Sequence, residues 1–248
     1  MATRLDIEPP PVDVSINLVK SLFSTPSPEA VTDLIRKGQV SAKGAYEILR
    51  DLEKSHGEVV WVEWLRSELR LSGPVEIVVV SYKNQHTQIV PLVPVSEGEW
   101  LIDFDAIAAH CDPSFEDLAA GKSETGIIRG KIRKDSYHTS HYPESEWQCY
   151  AITNPNSLVT LYGYCPLGGP SNKALSAVGR RITKSMNETM DEDVALSILS
   201  SPVVFNVTLK IEKGDTGSAK QFKIESVLAD GWSLGDRPLE DLYSDPKQ

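Results

Sequence analysis

The stretch from Val75 to Phe104 constrains the fold of this chain more than any other part of the sequence. Its first segment, Val75–Tyr82, contains the unbroken apolar run Ile77–Val80, and two further extended segments, Gln88–Val95 and Glu99–Phe104, follow after short turns. Runs of β-branched residues bounded by Asn, Gly and Glu are typical of strands in hairpins. Because each connection is so short, neighbouring strands are expected to be antiparallel. The sequence therefore predicts a three-stranded meander.

The second half of the chain repeats this organisation. A strand is predicted at Gly126–Lys134, and Trp147–Thr153 and Leu158–Cys165 are expected to pair across an Asn-Pro-Asn turn. The segments Pro202–Glu212 and Lys220–Leu228 predict a closing hairpin. Strands that follow one another directly, with helices before and between the groups, indicate an α+β fold with antiparallel sheets rather than an α/β fold.

Helical periodicity dominates the chain before the meander. Four helices are predicted there, with Ser41 as the N-cap of the third. The fourth, Gly57–Leu71, places Trp61, Trp64 and Leu65 on one face, and such an apolar stripe is typical of a helix packed on a core. We therefore expect N-terminal helices packed on the antiparallel sheets.

The predicted elements group into two helix-backed sheet modules. Residues 1–13 and 236–248 read as loose tails, and a helix is predicted at Asp191–Leu199. The first module covers residues 14–121 and the second residues 122–235, with the boundary at Gly121–Gly126. A chain of 248 residues is long enough for two such domains.

Charge and hydropathy exclude several classes of function. The net charge is −10 and the isoelectric point is near 5.0, so the chain as a whole repels nucleic-acid phosphates. The two short basic clusters, around Arg129–Lys134 and Arg180–Lys184, are interpreted as solvated faces. No run of about 18 apolar residues occurs, so no segment is expected to span a membrane.

The three cysteines indicate a reducing compartment. Cys111, Cys149 and Cys165 are odd in number and lack the short spacing of metal-binding pairs. Together with a polar N-terminus that lacks a secretory signal, they favour a soluble, cytoplasmic protein. A soluble piece of a longer, anchored protein stays an open alternative.

The densest group of polar and aromatic side chains lies between two predicted strands. It consists of Tyr137, His138, His141, Tyr142 and Trp147. Aromatic residues concentrate in protein interfaces, so these five are candidates for binding a protein partner. A metal site built on the two histidines and the glutamate at 144 is the weaker alternative, and no metal is predicted.

Asp103 and Asp105 are two residues apart at the end of a predicted strand. Extended geometry would place both carboxylates on one face, as a paired acid–base site requires. The preferred interpretation is that Asp105 caps the following helix and that Asp103 is exposed. No dinucleotide, phosphate-loop, serine-hydrolase or metalloprotease motif is present, so no catalytic residue and no cofactor are predicted.

Two structural motifs carry a family resemblance. The run Glu99–Asp105, followed by the helix-like Asp112–Gly121, resembles a segment of uncharacterised proteins from planctomycete and verrucomicrobial bacteria, and Trp147–Tyr150 and Leu161–Tyr164 fit the same pattern. The resemblance spans about residues 18–232, implies a bacterial origin, and implies no established activity.

The first half also resembles, more weakly, the NTF2-like scaffold, in which helices cup a curved antiparallel sheet. That resemblance implies a small-molecule pocket with Tyr82, Trp100 and Asp103 at its mouth. The leading prediction is nevertheless a non-catalytic binding or assembly module with a protein partner. The alternative is the NTF2-like pocket with enzymatic activity, and the oligomeric state stays open.

Overall fold

The fold is described from a computed structural model, which places residues 7–189, 203–215, 217–234 and 239. The chain divides into two compact units, Met1–His110 and Cys111–Gln248. This division precedes the boundary expected at Gly121–Gly126 because Asp112 and Ile127 exchange two backbone hydrogen bonds of 3.0 and 3.1 Å. The residues just before Gly121 are thereby tied to the first strand of the second unit.

The first unit consists of helices followed by a four-stranded antiparallel meander. The strands follow one another in the order β1-β2-β3-β4. The elements are α1 (Val12–Phe23), α2 (Pro28–Val31), α3 (Ala42–His56), β1 (Val59–Arg70), β2 (Gly73–Tyr82), β3 (Thr87–Ser96), β4 (Glu99–Ile102) and the short helix α4 (Phe104–Ile107).

The helices cover one face of this sheet. Leu22 from α1 and Leu49 from α3 share a buried cluster with Val78, Val90 and Ile102 from three strands. Burying a side chain of this size contributes about 1.5–3 kcal/mol, so this layer is the main source of the unit's stability. The side chain of Ser41 accepts a hydrogen bond from the backbone at residue 44, which confirms the predicted N-cap of α3.

The helix predicted at Gly57–Leu71 is wrong, since this segment forms strand β1 along β2. Val62 and Trp64 pack towards the core, as alternation along a strand requires. Trp61 and Leu65 are 62% and 47% exposed, so the proposed apolar stripe is not part of the core. The spacing of Trp61, Trp64 and Leu65 in the sequence is that of a helix. The β-branched residues that open the segment favour a strand, and a register shift between residues 64 and 66 interrupts the alternation of the strand.

The second unit contains a closed five-stranded barrel in the order β5-β6-β7-β9-β8, with β8 pairing back to β5. Its elements are α5 (Phe115–Ala119), β5 (Thr125–Asp135), β6 (Trp147–Thr153), β7 (Thr160–Pro166), α6 (Pro170–Thr189), β8 (Phe205–Lys213) and β9 (Gln221–Ala229). The α+β class is confirmed. The sheet of the second unit is mixed rather than antiparallel, because β7 and β9 run parallel.

The strand order identifies the type of barrel. Numbered within the unit, the order is 1-2-3-5-4, the first and fourth strands close the barrel, and the helix α6 lies between the third and the fourth. This is the connectivity of the OB-fold, a small Greek-key barrel. Tight closure is visible at Gly163, where an added Cβ would lie 2.8 Å from Ile152 and 2.9 Å from Ile224.

Arg129 is buried in the second unit rather than on a solvated basic face as the sequence predicted. It is fully buried on β5, and its Nε donates a 2.8 Å hydrogen bond to the carbonyl of Trp232. The indole of Trp232 donates in turn to the carbonyl of Gly130 at 3.2 Å, and Thr208 donates to the carbonyl of Gly231 at 2.8 Å. These bonds hold the chain after β9 against the barrel.

The chain termini differ from the prediction of loose tails where they are described. Ile7 packs against the first core, and the carbonyl of Glu8 accepts a 3.2 Å hydrogen bond from the indole of Trp100. The predicted helix Asp191–Leu199, and the predicted tail 236–248 apart from Leu239, lie outside the described residues. Among the helices that are described, none is both long and apolar enough to cross a membrane.

Candidate functional site

The outer face of β6 and β7 carries an aromatic surface. In the register of this pair, Ile152 faces Leu161 and Tyr150 faces Gly163, so the alternate residues Trp147, Tyr162 and Tyr164 point outwards. In barrels of the OB type, oligonucleotides and oligosaccharides bind to the face formed by the second and third strands, together with the adjoining loops. The loop 136–146, which joins β5 to β6, lies against this face.

Tyr142 anchors this loop. Its ring stacks on Tyr164 at 4.2 Å and meets Trp147 edge-on at 4.8 Å, and the residue is only 2% exposed. At Gly214, in the loop between β8 and β9, an added Cβ would collide with the Tyr142 hydroxyl. The side chain is therefore a packing element that joins the two loops, and a partner cannot contact it directly.

The accessible part of the surface comes from the rest of the loop. Tyr137 is 46% exposed, and its ring lies 4.4 Å from that of Tyr162. The hydroxyl of Tyr164 donates a 2.7 Å hydrogen bond to the carbonyl of Tyr137, which fixes the loop backbone. His141 is exposed, and Trp147 is half-buried.

His138 is half-buried, and its Nδ1 lies 3.2 Å from the carbonyl of Tyr142. A metal-ligating histidine commonly uses its second ring nitrogen for such a bond, but among the residues that the structure describes His138 belongs to no group of metal ligands. Within the described ranges there is no group of three or more His, Cys, Asp or Glu side chains that could hold a metal ion. The structure thus places all five predicted protein-binding residues on or beside one loop, with unequal access to solvent.

Two basic side chains along the rim of this surface are paired with carboxylates. Lys223 contacts Asp215 at 2.8 Å, and Arg133 contacts Asp135 at 3.3 Å. Pairing leaves little net positive potential for a phosphate backbone. The surface therefore offers aromatic rings and neutral hydrogen-bonding groups rather than a basic track.

The cysteines are poor nucleophiles. Burial raises the pKa of Cys111 and of Cys149 to about 11 and the pKa of Cys165 to about 12, so all three are protonated thiols at neutral pH. All three are free. Cys149 faces Tyr164 and Cys165 faces Gln148 in the β6–β7 register, so the two thiols lie on opposite faces of the sheet.

The three residues predicted at a pocket mouth in the first unit do not converge. Tyr82 ends β2 beside the start of β3, whereas Trp100 pairs with Pro94 near the end of β3. At about 3.3 Å per residue, the two positions are some 20 Å apart along the strand. Asp103 is buried and contacts Arg36 at 3.0 Å.

One cleft in the first unit does include Tyr82. It has a volume of about 510 Å³ and lies between the helices and β1, with Phe23, Leu49 and Trp61 as apolar walls and Arg50 among the polar groups. Neither Trp100 nor Asp103 lines it. Burial raises the pKa of Tyr82 to about 12, so its hydroxyl is a neutral donor at physiological pH.

Both acidic residues after β4 have structural contacts. Asp103, and not Asp105, caps α4, since its side chain accepts a hydrogen bond from the backbone of Ala106. Asp105 is also buried and accepts hydrogen bonds from the backbone N–H groups of Gln39, at 3.0 and 3.1 Å, and of Val40, at 2.8 Å. The expectation of an exposed Asp103 and a capping Asp105 is therefore wrong. The positions of both carboxylates are determined by partners far away in the sequence, and no local sequence signal marks those partners.

His86 links the stability of the first unit to pH. Its ring stacks on His56 at 3.8 Å, and burial, with a smaller contribution from His56, lowers the pKa of His86. The unfolded chain therefore takes up a proton near pH 6.5 that the folded chain resists, so stability falls as the pH drops below about 6.5.

We expect the thermal midpoint of the full chain to fall between about pH 7 and pH 5, and the His86→Gln variant to lose less over the same window. The measurement is differential scanning calorimetry across that pH range. His141→Gln, at an exposed position in the other unit, is the matched control and should retain the wild-type slope. An unchanged slope in His86→Gln would contradict this assignment.

Comparison of the chain with protein-family models, with curated proteins and with solved structures gives no match. The assignment of the barrel type therefore rests on strand order and connectivity alone. A fold of this kind supports many functions, so the function must be argued from the surfaces themselves.

Proposed function

We propose that this chain is a non-catalytic binding module whose barrel presents the loop 136–146 and the outer face of β6 and β7 to a protein partner. The observation that carries the proposal is the accessible aromatic surface formed by Tyr137, Tyr162 and Trp147. It lies on the face that barrels of this connectivity use for ligands. An exposed tyrosine beside a half-buried tyrosine and a half-buried tryptophan is typical of the composition of interface centres.

The fixed conformation of the loop 136–146 supports the same proposal. The stacking of Tyr142 on Tyr164 and the hydrogen bond from Tyr164 to the carbonyl of Tyr137 hold the loop in place before any partner arrives. A preorganised surface loses less conformational entropy on binding than a mobile one. The protonated cysteines and the structurally engaged Asp103 and Asp105 support a binding role rather than catalysis. The cytoplasmic location expected from the sequence belongs to this proposal.

Photo-crosslinking tests the proposal directly. With p-benzoylphenylalanine in place of Tyr137, we expect the full chain to form a discrete adduct with a protein from an extract of the source cells. The same amino acid in place of Lys131, which is exposed on β5, is the matched control and should give no such adduct. The His141→Ala variant should reduce the adduct several-fold, because it removes an exposed contact from the same loop.

Two outcomes would contradict the protein-binding role. One is equal crosslinking from positions 137 and 131, which would indicate random collision. The other is saturable binding of an oligosaccharide or an oligonucleotide at the aromatic surface, measured by quenching of tryptophan fluorescence. That result would show that the aromatic surface is a binding site, but for an oligosaccharide or an oligonucleotide instead of a protein.

The cleft beside Tyr82 favours a second candidate function, a small-molecule pocket of the NTF2-like kind in the first unit. Helices packed on one face of a meander, and a volume of about 510 Å³, support it. A thermal-shift screen with a metabolite library tests this candidate, and a stabilising ligand should lose its effect in Trp61→Ala. Trp61 is the better test residue because it is exposed and its removal spares the core.

A further inference from the structure

A second cavity in the barrel unit lies away from the aromatic surface. It has a volume of about 830 Å³ and lies where α6 covers the end of the barrel, against β5, β6 and the start of β8. Tyr150, Leu175 and Phe205 form its walls. A cavity of this size is within the range of sites that enclose small organic molecules.

Three cations line this cavity. Lys134 comes from β5, and Arg180 and Lys184 are one turn apart on α6, so both reach the same side. Among the described residues, none of those lining the cavity is acidic, and neither Lys134 nor Arg180 has an ion-pair partner. The charges of Lys134 and Arg180 at one opening create a positive potential, which an anionic group would neutralise.

Tyr150 supplies an independent indication of a ligand. Its side chain lines the cavity and the residue is only 1% exposed; within the described part of the chain its hydroxyl makes no well-formed hydrogen bond, and its nearby polar neighbour is Ser176, which lines the same cavity. A buried hydroxyl that lacks a well-formed hydrogen bond destabilises the folded chain. An acceptor atom placed in the cavity would relieve this destabilisation.

The strand register brings the hydroxyl and one of the cations together. Lys134 and Tyr150 are Cα partners across β5 and β6, so their side chains leave the sheet on the same side from neighbouring positions. One carboxylate or phosphate group can therefore accept a hydrogen bond from both. The apolar side chains of Leu175 and Phe205 are left to contact the rest of the molecule.

We propose that this cavity binds an anionic amphiphile, a molecule with an apolar body and a carboxylate or phosphate head group. The head group contacts Lys134, Arg180 and the Tyr150 hydroxyl, and the apolar body packs between α6 and the start of β8. This site is separate from the proposed protein-binding surface. Loss of either function leaves the other intact.

Isothermal titration of the full chain with sodium decanoate, below its micelle concentration, tests the proposal. We expect saturable binding with one site, and no comparable binding of decanol or of decyltrimethylammonium, which share the apolar body but not the negative charge. Lys134→Gln and Arg180→Gln should each weaken binding by about tenfold, and Tyr150→Phe by about three- to fivefold. Lys173→Gln, an exposed residue of α6 outside the cavity, is the matched control and should bind as the wild type does.

Several outcomes would overturn the proposal. Equal binding of decanol and decanoate would show a non-specific apolar site, and equal weakening by Lys173→Gln and Arg180→Gln would show an effect of net charge alone. Binding only to phosphatidylglycerol vesicles, measured by sedimentation, would assign the cations to a lipid surface. The acidic run Asp191–Asp193 lies outside the described residues. If decanoate bound to a variant with these three acidic residues replaced by their amides, but not to the wild type, the cations would be neutralised by the chain's own carboxylates rather than by a ligand.

Discussion

Substitution of Asp105 by Ala is expected to lower the free energy of unfolding of the first unit by about 3–5 kcal/mol. The carboxylate is buried and accepts hydrogen bonds from the N–H groups of both Gln39 and Val40. Removal takes the carboxylate acceptor away from both donors, at about 1–3 kcal/mol each, and the loss is larger at the buried Val40 than at the part-buried Gln39. Chemical denaturation of the full chain, followed by circular dichroism, measures the loss.

Gly38 allows the same contact to be tested from the opposite side. An added Cβ at Gly38 would lie 2.6 Å from the nearer oxygen of Asp105, so Gly38→Ala forces the carboxylate out of place. We expect the double variant Gly38→Ala/Asp105→Ala to be less destabilised than the sum of the two single variants. Strict additivity would contradict the proposed contact.

A second glycine, Gly44, provides the matched control. It lies inside α3, where an added Cβ would meet no atom closer than 3.4 Å. Gly44→Ala should therefore stabilise the helix by up to about 1 kcal/mol, through helix propensity alone. A loss of stability in Gly44→Ala would show that glycine replacement in this unit is harmful for reasons other than Asp105.

Local sequence patterns were sufficient to predict strand pairing where the two paired strands follow one another in the sequence. The pairing of β3 with β4 was predictable because a Glu-Gly turn, with Gly98 at a φ of +75°, joins two alternating segments. The same applies to β6 and β7. Segment β1 was mistaken for a helix because Trp61, Trp64 and Leu65 have the i, i+3, i+4 spacing of a helical stripe in the sequence, while only the pairing with β2 shows that the segment is a strand.

Closure of the barrel was not predictable from such patterns. Ile128 pairs with Leu209, and Tyr162 of β7 lies parallel to Gln221 of β9, across the crossover that contains α6. These partners are far apart in the chain, so no turn signal fixes them. The prediction of consecutive antiparallel pairs was correct for β5, β6 and β7 and missed the pair that makes the sheet mixed.

The candidate site was predictable in part, for the same physical reason. The loop from Tyr137 to Trp147 was visible as a local concentration of aromatic residues. Its supports, Tyr162 and Tyr164, are two residues apart on a strand, but only the register of β6 and β7 shows that they face the loop. Sequence alone therefore located the surface and could not separate the packing residue Tyr142 from the exposed Tyr137.

Arg129 is the position in the barrel unit where substitution is expected to have the largest effect. Its side chain is fully buried, and its Nε donates to the carbonyl of Trp232 across 103 residues of sequence. Arg129→Met keeps much of the side-chain volume and removes every donor. It leaves the Trp232 carbonyl without this donor and should cost about 3 kcal/mol or more, because hydrogen bonds from charged groups to buried acceptors are among the strongest.

The readout for Arg129→Met combines thermal unfolding with hydrogen exchange. We expect a lower unfolding midpoint together with faster exchange in residues 229–233, since the loss of the Nε contact also loosens the indole of Trp232 from the carbonyl of Gly130. Arg133→Met, on the same strand but exposed and paired with Asp135 at 3.3 Å, is the matched control and should change stability by less than about 1 kcal/mol. Equal losses in the two variants would mean that Arg129 acts only as one charge among many. A larger loss at Arg129 would establish that a buried cation on β5 holds the chain after β9 against the barrel.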